Sequence, residues 1–209
     1  MERIIETRED VAEGEAWLAA HHPEMATALA AIGEAPLRRR SDGFAALLQA
    51  IVGQQVSVAA AAGIWKRVEQ AGFHQEANVL TADEDALRAV GLSRPKARYA
   101  LAIAEARLDY AALRAMPAED AIAKLVEIKG IGRWTAEIYL MFAVGKADVF
   151  APGDLALREA ARALYGMEER PSIPDLTELA RQWSPWRAVA ARILFAYYRV
   201  EKGREGIIA

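Results

Sequence analysis

The 209-residue chain has no cysteine. That removes disulfides, thiolate zinc sites, cysteine-ligated iron–sulfur clusters and cysteine nucleophiles together, and it fits a reducing compartment. Histidine is nearly as scarce: with only His21, His22 and His74, a histidine-built metal site is not expected. No apolar run reaches the ~20 residues of a membrane-spanning helix, and the N-terminal stretch lacks a signal-peptide core, so a soluble cytoplasmic protein with no membrane partner is expected. Positive charge is not in excess either. With 26 Lys and Arg against 29 Asp and Glu the net charge is −3, so any contact with nucleic acid has to come from local motifs rather than a broad basic face.

What the chain does have is alanine, 46 residues of it, within a 54% hydrophobic composition. Alanine loses no side-chain entropy in a helix and lets helices pack closely. Strand signals are nearly absent. Apolar periodicity predicts helices at about 9–21, 24–32, 43–53, 57–71, 83–90, 95–108, 117–127, 133–144, 155–165, 175–183 and 187–201. Gly72, Gly91, Gly145 and Gly166 stand just past such stretches, where a left-handed residue ends a helix, and Thr81 to Glu84 has the spacing of a capping box. Pro117 and Pro174 suit helix starts. The expectation is one all-α unit over residues 1–209, with its core in one lobe or two, and with residues 1–8 and 203–209 as frayed ends.

Two segments carry chemistry. The first is the turn Lys129-Gly130-Ile131-Gly132 between the helices expected at 117–127 and 133–144. Two glycines allow a tight reversal, Leu125, Ile128 and Ile131 anchor it, and the N–H groups opening the next helix can hold a phosphate without many basic side chains. The plainer reading is a short turn between packed helices. The second segment, Asp148-Val-Phe-Ala-Pro-Gly-Asp154, places Asp154 at the head of the helix starting at Leu155. Asp is a preferred cap residue, and the positive helix end favours a negative group there. Such a carboxylate is suited to facing a developing cation, though on spacing alone a cap suffices.

Taken together, the hairpin, the interval from Trp134 to Asp154 and the upstream Ile51-Val-Gly-Gln-Gln-Val-Ser57 resemble the helix-hairpin-helix base-excision glycosylases, in particular the DNA-3-methyladenine glycosylase II branch. The resemblance runs from about Phe44 to Phe195. It implies two helical lobes with a cleft between them, and a monofunctional DNA N-glycosylase that extrudes an alkylated purine such as 3-methyladenine or 7-methylguanine from duplex DNA and hydrolyses its N-glycosidic bond. It implies Asp154 as the catalytic carboxylate; Trp134, Ile138 and Phe195 as the base pocket; and Gln54, Gln55, Ser57, Lys129, Gly130, Gly132 and Thr135 as DNA contacts, one of the glutamines filling the gap left by the base. Relatives that also cut the strand carry a lysine where this chain has Trp134, so no Schiff base is expected there.

No organic or redox cofactor is implied. The resemblance does imply a monovalent cation, sodium or potassium, at the hairpin carbonyls near Val126, Ile128 and Gly130. Double-stranded DNA is the implied partner of a monomeric enzyme. An extra N-terminal sheet domain found in some members is not expected, since Phe44 is reached too early. Asp148 reads as structural, the basic clusters Arg38 to Arg40 and Arg94 to Arg98 as solvated faces or phosphate contacts, and Trp183-Ser-Pro-Trp-Arg187 as a structural phrase with Arg187 near the catalytic helix. Two other functions remain open at this point: a non-catalytic helix-hairpin-helix DNA-binding protein, and a glycosylase for mismatched or deaminated bases.

Overall fold

A computed structural model describes residues 2–203. In chain order the helices are α1 (Arg8–His21), α2 (Pro23–Ile32), α3 (Phe44–Gly53), α4 (Val58–Gln70), α5 (Glu76–Leu80), α6 (Glu84–Ala89) and α7 (Arg94–Glu105). They continue as α8 (Tyr110–Ala115), α9 (Ala118–Val126), α10 (Arg133–Tyr139), α11 (Leu155–Leu164), α12 (Ile173–Arg181) and α13 (Arg187–Lys202). The only extended pairing among the described residues is an isolated antiparallel bridge, Ile4 with Lys146. The all-α expectation holds. No helix among these residues is long and apolar enough to cross a membrane, and no group of His, Asp and Glu could hold a metal ion.

The chain forms two compact units, in keeping with the two helical lobes that the resemblance implies. Among the described residues the first joins 2–39 with 145–203, and the second runs Arg40–Val144. In the first, α13 packs on α2, α11 and α1 through Ala188, Val189, Ala190, Ala191, Ile193 and Leu194, all buried. Small residues let these helices approach closely: a Cβ at Gly14 of α1 would lie 2.6 Å from Val189 and 2.8 Å from Trp186. Arg192 is fully buried here, donating to the carbonyls of Leu37 and Ala188, and burial together with nearby Arg38 and Arg39 pushes it down to about 9. In the second unit α3 supplies Leu47, Leu48, Ile51 and Val52 to a core shared with α4, α7 and α10. Each such side chain, fully buried, contributes roughly 1.5–3 kcal/mol.

The structure departs from the sequence expectation in four places. Helices α5 and α8 have no counterpart in that expectation, because five or six residues are too few to show a 3.6-residue period. The capping box expected from Thr81 is absent: Asp83 caps α6 through the Ala86 N–H, while the Thr81 hydroxyl turns back to the carbonyls of Ala77 and Asn78 and closes α5. The helix expected over 133–144 is α-helical only to Tyr139 and continues as a buried π-helical turn, Leu140–Val144. The N-terminus is tied down rather than frayed. Ile5 is fully buried and donates to the Gly145 carbonyl, Ala147 donates to that of Arg3, and buried Lys146 pairs with Glu2 at 2.6 Å. At the other end, residues 204–209 lie outside the described residues.

Candidate active site and hairpin

In the second unit α9 ends at Val126 and the chain turns through Ile128 and Ile131, whose N–H groups bond to the carbonyls of Leu125 and Ile128 respectively. Leu125, Ile128 and Ile131 are buried, as anchors should be. The two glycines differ. Gly130 has φ +98 and its missing Cβ would lie 2.2 Å from Cγ of Tyr99, so the turn needs glycine there twice over. Gly132 has φ −87 and ψ 169, an ordinary extended conformation, with nothing within 4 Å of where a methyl group would sit. The angle argument therefore applies to Gly130 alone; what Gly132 provides is an open flank at the head of α10.

Lys129 is exposed beside this turn. Arg133, the first residue of α10, is engaged: Nη2 donates to both oxygens of Glu119 at 2.9 and 3.0 Å, and Nε to Glu137 at 2.9 Å. Glu137 is only 3% exposed, and burial pushes its carboxyl up to about 7 against the pull of Arg133. Sequence reasoning missed this carboxylate, although its i,i+4 spacing from Arg133 was a readable signal.

The segment after α3 lies against the hairpin. Gln54 Nε2 donates to the Gly130 carbonyl at 3.2 Å and to Thr135 Oγ1 at 3.1 Å. Thr135 is 2% exposed, so its hydroxyl serves Gln54 and is not presented to a phosphate. Gln55, by contrast, is exposed and has φ +57, a region that non-glycine residues seldom occupy. Ser57 caps α4 through the Ala60 N–H. In the basic cluster at 94–98, Arg94 and Arg98 are exposed and both pair with Glu84 at the surface, as a solvated face does, while Lys96 Nζ donates to the carbonyls of Val52 and Gln54. Trp134 is half-buried and Ile138 buried, both on α10. Of the hairpin carbonyls, that of Ile128 accepts from Ile131 and that of Gly130 from Gln54, which leaves each a second lone pair.

In the first unit Asp154 caps α11. Its Oδ1 accepts from the N–H groups of Ala156 at 2.8 Å and Leu157 at 3.3 Å, and the residue is 8% exposed. The Pro152-Gly153 turn delivers it, with the Asp154 N–H bonded to the Ala151 carbonyl. That loop is braced from both sides. Asp148 accepts a two-pronged pair from Arg187 at 2.8 and 3.1 Å and a bond from Ser184 Oγ at 2.8 Å, while Phe150 meets fully buried Trp183 edge-on at 5.3 Å. The structural expectation for Asp148 and for the 183–187 phrase is thereby met. Phe195, on α13, is buried, with the Arg38 guanidinium 5.5 Å from its ring centre.

Comparison with known proteins agrees with these features. Residues 48–185 match the HhH-GPD superfamily of base excision DNA repair proteins. The chain is 26% identical over 162 residues to the alkylbase DNA glycosidase-like protein mag2 of Schizosaccharomyces pombe, an alignment covering 73% of this chain and 76% of that one. To DNA-3-methyladenine glycosylase 2 of Escherichia coli it is 30% identical over 163 residues, 71% of this chain and 55% of the relative. The fold superimposes on the S. pombe 3-methyladenine DNA glycosylase Mag1, solved in complex with abasic DNA, with a TM-score of 0.77 and 25% identity, covering 91% of this chain and 97% of Mag1. The chain belongs to the HhH-GPD superfamily of base excision DNA repair proteins.

Proposed function

We propose that this chain is a monofunctional DNA N-glycosylase that removes alkylated purines, 3-methyladenine and 7-methylguanine among them, from duplex DNA and leaves an abasic site. The observation that carries this reading is Asp154: a carboxylate fixed by two amides at the head of α11, on a loop braced by Arg187 and Trp183, in a chain of this superfamily. The names of its relatives, which include alkylbase and 3-methyladenine glycosylases, support the substrate class.

In this reading the C1′–N bond of the lesion breaks with both electrons going to the purine. Alkylation has already made that base cationic, so it leaves neutral without a second acid, and Asp148 stays with Arg187. Positive charge develops on the sugar. A carboxylate ~4 Å away at an effective dielectric of ~20 offers about 4 kcal/mol, roughly three decades in rate. Water then adds its oxygen to C1′, and its proton passes to Asp154 or to solvent. On α10, Trp134 and Ile138 serve the base pocket, with the half-buried indole stacking on the extruded base.

Gln55 fills the gap in the duplex, and Gln54 stays with Thr135. Lys129, Gly130, Gly132 and Ser57 line the strand-facing edge, where the carbonyls of Val126, Ile128 and Gly130 would hold a sodium or potassium ion that would supply positive charge for a phosphate. No lysine follows Gly132-Arg133, so strand cleavage is not part of the reaction. The test is product analysis on duplexes carrying single defined lesions. Free 3-methyladenine or 7-methylguanine with an intact abasic strand supports the reading; binding without any release would leave a DNA-binding protein.

A further inference from the structure

We infer that Lys96 is a positioning residue for base extrusion, because its ammonium locks the peptide that presents Gln55. The inference rests on the glycosylase reading above. Lys96, in the first turn of α7, donates to the Val52 carbonyl at 2.8 Å and to the Gln54 carbonyl at 2.6 Å. The first contact closes the end of α3, where carbonyls lack helical partners. The second does something a helix cap does not require. The Gln54 carbonyl belongs to the same peptide plane as the Gln55 N–H, so gripping it fixes one side of the rotation that sets φ of Gln55 at +57.

A left-handed non-glycine residue persists only where its surroundings over-determine it. Here the over-determination is visible. The backbone of Gln54 is held by Lys96 and its side chain by the Gly130 carbonyl and Thr135, and Ser57 starts α4 two residues beyond Gln55. One turn along α7 from Lys96, the Tyr99 ring fills the space under Gly130. Helix α7 therefore supports the gap-filling segment and the hairpin from the same side. An ammonium that donates to carbonyls in this way is not placed to meet a phosphate, so losing it should affect extrusion more than binding.

The experiment compares base release by the full chain and by Lys96→Met in single turnover at saturating enzyme, from 7-methylguanine paired with cytosine and from the same lesion in a one-nucleotide bulge, where unstacking is already part complete. Lys96→Met is expected to slow release from the paired lesion about tenfold or more, from the bulged lesion less than about threefold, with duplex affinity changed by less than about threefold. Equal slowing on both substrates, or none on either, overturns the role. If Lys96→Met does not fold, Lys96→Gln, which keeps an N–H donor on a shorter neutral arm, is read by the same paired-to-bulged ratio. A wild-type chain that releases base from neither substrate overturns the glycosylase reading itself, an outcome distinct from loss of the Lys96 role alone.

Discussion

Gln54 and Thr135, 81 residues apart in sequence, share a hydrogen bond of 3.1 Å, and the same Gln54 amide nitrogen reaches the hairpin carbonyl of Gly130. The two neighbouring glutamines therefore have different fates. Gln54 is part of the hairpin's support, and leaving its place would strip the buried Thr135 hydroxyl of this partner. Gln55 is held outward by the backbone with its side chain exposed.

Gln54→Ala should lower stability by about 1–3 kcal/mol, since two bonds and a buried partner are lost, whereas Gln55→Ala should stay within about 0.5 kcal/mol of wild type. Denaturant unfolding checks both. Base release should show Gln55→Ala slowed on paired lesions despite its intact fold; a Gln55→Ala protein with full activity would remove its gap-filling role.

The hairpin glycines separate fold from contact. Gly130→Ala combines a left-handed backbone with overlap against Tyr99 and should cost more than about 2 kcal/mol. Gly132→Ala meets no neighbour and should cost less than about 1 kcal/mol. If a phosphate lies against Gly132, the alanine variant still binds duplex DNA more weakly, which a fluorescence anisotropy titration of the folded variant reads directly.

Glu137 predicts a pH effect of definite sign. Burial raises its carboxyl from an ordinary 4.5 to about 7, so the folded chain holds a proton that the unfolded chain releases between these values. Stability from this group is complete below pH 4.5 and falls as pH rises to 7, by an amount on the order of 3 kcal/mol. Glu137→Gln should be more stable than wild type above pH 7 and lose the dependence between 4.5 and 7. Arg133 keeps Glu119 in that variant. Melting temperatures across pH 4 to 8 test this; parallel profiles would contradict it.

Asp148→Ala removes the two-pronged Arg187 pair and the Ser184 bond. Both partners are partly exposed, so the stability cost should be only about 1–2 kcal/mol. Base release should slow several-fold through looser placement of Asp154, with the pH profile of the rate unchanged, because Asp148 exchanges no proton in the reaction. A shifted profile would give Asp148 a chemical role.

Local signals made much of this readable in advance. The Pro-Gly-Asp turn specified the cap at Asp154, the spacing of Leu125, Ile128 and Ile131 marked the hairpin anchors, and the glycines at 72, 91, 145 and 166 do adopt positive φ. What was not readable depends on partners far along the chain. Lys96 finds carbonyls more than 40 residues upstream, and Glu119 reaches Arg133 across the hairpin. The bridge between Ile4 and Lys146 joins segments that no periodicity links. Helices of five or six residues left no period to count, and two adjacent glutamines of identical chemistry were separated only by backbone angle and by which one meets Thr135.

The most direct measurement is single-turnover release of 3-methyladenine from duplex DNA by the wild-type chain and by Asp154→Asn, an isosteric change that keeps an oxygen able to accept from Ala156 and Leu157. Near-wild-type duplex affinity is expected, with release slowed by about three decades, the value of one carboxylate facing the sugar cation. Release by Asp154→Asn at a rate close to wild type would contradict a catalytic role for this carboxylate.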